Sequence, residues 1–100
     1  MSIGPDSVVS RSGHAVYRVV DSEAVIVEPS KALVNVANPA GSRVWELADG
    51  SRTAAEIAAV IAGEYEVENE QALKDTLEFL DDLGNKHLVT FEAPDENART

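Results

Sequence analysis

Few residues in this chain are of a type that could do chemistry, and their spacing argues against most of it. The two histidines, His14 and His87, lie at opposite ends of the sequence, and neither sits in an HExxH or other ligand spacing. A metal centre is therefore not expected. The chain has no cysteine, which removes disulfides, thiolate ligands and a Cys nucleophile. No G-x-S-x-G elbow, Walker loop or G-x-G-x-x-G is present. Ser42 follows Gly41 inside a helical stretch, where the glycine permits close packing and does not expose a nucleophile. The carboxylates are plentiful, but they fall on predicted solvent faces with no pocket to raise a pKa for acid–base work. The adjacent Asp81 and Asp82 point in different directions around a helix, a poor geometry for chelation. The pattern is that of a non-catalytic protein without cofactor or metal.

Charge narrows the partners. One hundred residues carry a formal charge of −10, enough chain for one modest core. From Glu64 to Asp82 there are eight acids, Glu64, Glu66, Glu68, Glu70, Asp75, Glu78, Asp81 and Asp82, against Lys74 alone. Such a surface repels phosphate and either favours basic partners or serves solubility. No apolar stretch approaches the roughly 20 residues of a membrane span. The start of the chain lacks the basic and apolar regions of a signal peptide, so a cytoplasmic protein is expected.

The elements that would position any site follow from periodicity. Residues 1–13 are Ser- and Gly-rich and non-periodic, and are expected to form a flexible lead-in. His14–Val20 and Ala24–Glu28 read as strands joined by a turn at Asp21-Ser22-Glu23. Pro29-Ser30-Lys31 makes a second turn and Leu33–Val36 a third strand, so the connections predict an antiparallel meander. Asn38 is a strong N-cap with Pro39 at the first helical position. That helix runs to about Ala48 with Val44 and Trp45 inward, and Asp49-Gly50 stops it. Thr53 and Glu56 form a capping box for a second helix, whose Ile57, Val60, Ile61 and Tyr65 make a core-facing stripe. A third helix, from about Asn69 to Leu83, ends at Gly84-Asn85 as a left-handed stop. Its Leu73, Leu77 and Leu80 form one stripe, and Ala72, Thr76, Phe79 and Leu83 a second. Two stripes fit either a three-sided core or a groove border. Lys86–Phe91 reads as a short wing strand and residues 92–100 as a disordered acidic tail.

The fold expected is α+β and winged helix-turn-helix-like: a three-stranded antiparallel sheet, three helices and a short wing strand within residues 14–91. In a DNA-binding winged helix the third helix would enter the major groove. Here it carries Glu70, Asp75, Glu78, Asp81 and Asp82 against Lys74, a net charge of −4. Duplex DNA, with a negative charge about every 1.7 Å of axis, rejects it.

The order Asn38-Pro39, Trp45, Leu47, Gly50-x-x-Thr53-x-x-Glu56, Ile57, Tyr65, Asp75, Phe79, Leu80, Leu83, Leu88 resembles the PqqD family, over roughly residues 16–90. These small domains recognise the leader of a ribosomally made precursor peptide. The sequence departs from the family pattern at Ala37, where a Leu is usual, and at His87, where a Gly is common. The resemblance implies that a leader adds as a strand along Leu33, Val34, Asn35 and Val36, with side chains in a groove bordered by Ala72, Asp75, Thr76, Phe79 and Leu83. Asp75 and Glu78 are available to a basic residue of the leader or of the enzyme. It further implies delivery to a modifying enzyme, a radical SAM enzyme or a lasso-type protease and cyclase system. Trp45 and Tyr65 are expected to be core residues. The alternative is a homodimeric interaction module on a degenerate winged-helix fold that binds no DNA.

Overall fold

The computed structural model describes residues 3–28 and 33–92. Strands β1 (Val8–Arg11), β2 (Val16–Val20), β3 (Glu23–Glu28) and β4 (Leu33–Val36) precede helix α1 (Pro39–Leu47). Strand β5 (Asp49–Thr53), helices α2 (Ala54–Tyr65) and α3 (Asn69–Asn85) and strand β6 (Val89–Glu92) follow. The strands form two antiparallel sheets, ordered β2-β3-β4 and β5-β1-β6.

The first sheet is the expected meander. Asp21 and Ser22 both take positive φ, 51° and 67°, and Val20 pairs with Glu23. This is the two-residue hairpin whose twist matches the flanking strands. The register Tyr17↔Ile26↔Asn35 puts Ile26 on the inner face, where it is fully buried with Ala24. Tyr17 meets the ring of the fully buried Trp45 edge-on, with centroids 5.4 Å apart. Glu28, also buried, has its Oε2 2.6 Å from His14 Nε2, so this lone histidine is a structural partner of the sheet. The turn expected at Pro29-Ser30-Lys31 and the tail beyond residue 92 lie outside the described residues.

The second sheet corrects the reading of the N-terminus. Val8–Arg11, expected within a flexible lead-in, is the central strand between β5 and β6, and Val9 is fully buried. Arg11 fixes it further: its backbone N–H donates to the Ala48 carbonyl at 2.9 Å. Its guanidinium donates to the Trp45 and Glu46 carbonyls at 2.9 and 2.8 Å, closing the orphan C-terminal end of α1. The order α1-β5-α2-α3-β6 is that of a winged helix, with the N-terminal strand filling the centre of its small sheet.

Helix boundaries follow local chemistry. The capping box of α2 is present: Thr53 Oγ1 accepts from Glu56 N–H at 3.1 Å, and Glu56 Oε1 accepts from Thr53 N–H at 2.8 Å. α3 does not stop at a left-handed Gly84-Asn85. It continues through Asn85, and the positive φ (60°) falls on His87. Gly84 serves close approach instead, since a Cβ there would stand 2.6 Å from the Phe91 ring.

Candidate functional site

β4 lies at the border of its sheet, so one of its two sides is unpaired. In an antiparallel ladder alternate residues turn their N–H and C=O groups toward the neighbour. Ala37 N–H donates to the Ala24 carbonyl at 2.9 Å, so Asn35 pairs inward with Ile26 in the same phase. The N–H and C=O groups of Val34 and Val36 therefore point out at the free edge. Their side chains lie on the outer face, 60% and 62% exposed.

The end of β4 is held by a buried hydroxyl. Ser42 Oγ accepts from Ala24 N–H at 2.6 Å and donates to the Ala37 carbonyl at 3.1 Å. It thereby relays the second bond of the Ala24–Ala37 pair and locks α1 to the sheet. Asn38 Oδ1 then accepts from Gly41 N–H at 2.7 Å, starting α1 as its N-cap.

Beyond that cap opens an apolar pocket of about 290 Å³. α1 contributes Ala40, Gly41 and Val44, α2 Ile61 and Tyr65, the following turn Val67, and α3 Ala72, Asp75, Thr76 and Phe79. A Cβ at Gly41 would lie 3.1 Å from the Phe79 ring, so the glycine lets Phe79 lie against α1. The left-handed Glu66 (φ 53°) turns the chain from α2 to α3 at the pocket rim. Across its side, Arg43 Nε and Nη2 hold the Glu64 carboxylate at 3.0 Å, tying α1 to α2. That hydrogen bond keeps the Glu64 carboxyl below its ordinary range and the Arg43 guanidinium above its own. Asp75 Oδ1 accepts from Gln71 at 2.8 Å.

Of the residues singled out from sequence, Ala72, Asp75, Thr76 and Phe79 line this pocket, while Val34, Asn35 and Val36 lie on β4, which ends two residues before the pocket-lining Asn38. Leu33 begins β4. Leu83 does not join them: it is fully buried in the core, because the second stripe of α3 turns inward past Phe79. Tyr65 departs in the opposite sense. Expected in the core, it is 41% exposed and rims the pocket as the last residue of α2. The contributions of Gly41, Val44, Ile61 and Val67 were not anticipated. The glycine beside a predicted close contact was the one available signal. Among the described residues no group of three His, Asp or Glu could hold a metal, and no helix is long and apolar enough to cross a membrane.

Comparison with known proteins agrees with this fold. The solved structure of TbiB1 in complex with the TbiA(beta) leader peptide superposes with a TM-score of 0.73 and 29% sequence identity. The match covers 80% of this chain and 93% of that one. No curated protein matches the chain. The family described as coenzyme PQQ synthesis protein D (PqqD) matches residues 23–89, from β3 to the start of β6. That span is most of the chain, and this protein belongs to the PqqD family.

Proposed function

We propose that this protein binds the leader of a ribosomally synthesised precursor peptide, without catalysis, and presents it to a modifying enzyme. The observation that carries the reading is the free edge of β4, which leads within two residues to Asn38 at an open apolar pocket between three helices. An extended peptide that adds to such an edge gains affinity from main-chain hydrogen bonds and selectivity from pockets for alternate side chains. Outward N–H and C=O groups of Val34 and Val36 supply the first, and Phe79, Thr76, Ala72 and Tyr65 the second. The leader peptide bound by the similar TbiB1 supports the ligand class. The enzyme is a radical SAM enzyme or a lasso-type protease and cyclase system, acting on a peptide this domain holds.

Titration of isotope-labelled protein with the TbiA(beta) leader, and with the leader of any precursor encoded beside this chain, tests the reading. Amide shifts are expected along β4 and over residues 72–79. Phe79→Ala removes the pocket wall and abolishes the shifts while helical circular dichroism is retained. Flat spectra at millimolar peptide with both leaders would overturn it.

A second reading, a homodimer, is favoured by one observation. The outer face of the β2-β3-β4 sheet shows Val16, Val20, Val34 and Val36, each at least half exposed. Sedimentation at micromolar concentration separates the two: a tight dimer that buries β4 supports the second, a monomer the first.

A further inference from the structure

We infer that Lys86 determines specificity in this groove, by demanding a hydrogen-bond acceptor on the leader residue that faces Asn35. The inference rests on the strand-addition reading above. Backbone contact between β4 and α3 is sparse. Lys86 bridges the gap: its ammonium donates to Asn35 Oδ1 at 2.8 Å and to Asp82 Oδ2 at 2.9 Å. Neither β4 nor the lining of the pocket holds another cation. The lysine side chain is only one-third exposed, so its ammonium is partly withdrawn from water.

Strand geometry places the ligand. Asn35 is on the inner face, in register with the buried Ile26. A residue directly opposite it on an added strand shares that face, with its Cβ about 5 Å from that of Asn35. Its side chain then stands within reach of the third ammonium proton. An Asp, Glu, Asn, Gln, Ser or Thr there completes the coordination. An aliphatic residue instead desolvates the ammonium and the Asn35 amide with nothing in return, and a site built around polar partners discriminates strongly against such a ligand. Along the leader, same-face positions recur every second residue, about 6.7 Å apart. The next faces Ala37, and the one after it reaches the pocket beside Phe79. The acceptor is thus expected four residues from an apolar anchor.

The experiment selects a random twelve-residue display library on the immobilised protein, in the wild-type, Lys86→Met and Lys86→Arg forms. In the wild type, acceptor side chains are enriched over aliphatic ones at that spacing, on the order of tenfold. Lys86→Met is expected to lose the preference while keeping the apolar anchor, and Lys86→Arg to retain it. Selected peptides that shift β4 amides but show the same profile on wild type and Lys86→Met would overturn the role of Lys86 and leave the groove standing. Peptides that leave β4 and α3 unshifted in every form would overturn the groove, and the inference with it.

Discussion

Two prolines placed one residue apart should have opposite consequences. Val34 points its N–H at the free edge of β4, whereas Asn35 pairs inward with Ile26. Proline removes a donor and is tolerated on an edge strand when that donor faced solvent. Val34→Pro should therefore cost the fold little, about 1 kcal/mol at most. It removes one main-chain bond to an added peptide, worth about 1 kcal/mol net, or roughly fivefold in affinity. Its ring also fills the space the incoming carbonyl needs, and a second lost bond brings the total to about 2 kcal/mol, near 30-fold. Asn35→Pro instead breaks the β3–β4 ladder and the link to Lys86, leaving a carbonyl of Ile26 unsatisfied at a cost of about 1–3 kcal/mol. At 4–8 °C per kcal/mol for a domain of this size, its melting temperature should fall clearly below that of Val34→Pro. Fluorescence anisotropy with labelled TbiA(beta) leader, beside thermal melts, reads both. Leader affinity of Val34→Pro within twofold of wild type, at unchanged Tm, would refute strand addition at this edge.

The other predictions concern the frame around the groove. His87 holds φ at 60°, a conformation that costs an L-residue about 1–2 kcal/mol, offset in part by the extra chain entropy of glycine. His87→Gly should raise stability by up to about 1 kcal/mol in thermal or urea unfolding, and a loss would mean that the imidazole has a role of its own. Gly84→Ala pushes a methyl to 2.6 Å from the Phe91 ring. It should destabilise by about 1–3 kcal/mol as an overpacking change, and a neutral result would show that β6 yields freely. Glu64 is held below its ordinary pKa of 4.5 by the hydrogen bond from Arg43. A group depressed in the folded state adds stability above its unfolded pKa and loses it as pH falls through the folded one. The small difference between wild type and Glu64→Gln should thus be present at pH 7 and vanish in acid below pH 4.5. A gap unchanged at low pH would contradict the pairing.

How far the sequence discloses this architecture depends on how local each signal is. The hairpin at Asp21-Ser22, the Asn38-Pro39 start and the Thr53–Glu56 box are set by neighbours within a few residues, and each stands where the sequence puts it. β1 and β5 do not carry their own signal. Val8–Arg11 is a short run among serines, and Asp49–Thr53 has little strand propensity. Each becomes a strand only because distant chain supplies its partner, Val8 to Thr53 and Val9 to Phe91. Tertiary pairing of that kind overrides propensity and leaves no periodic trace.

The groove was half legible for a related reason. Periodicity shows that α3 has two apolar stripes, but not how far around the helix the core extends. That limit is set by the neighbours: Leu83 is buried in the core where β6 packs on α3, while Ala72, Thr76 and Phe79 line the pocket shared with α1 and α2. The α2–α3 turn at Glu66 keeps the last turn of α2 from closing over it, and so Tyr65 becomes a wall where a core residue was expected. The same three-helix frame that offers DNA a basic helix in other proteins here presents an acidic one to solvent. The surface proposed for function lies elsewhere, where the free edge of β4 leads to the pocket that α3 shares with α1 and α2. A peptide answers both needs of that surface at once, since it brings a backbone for the edge and side chains for the pocket.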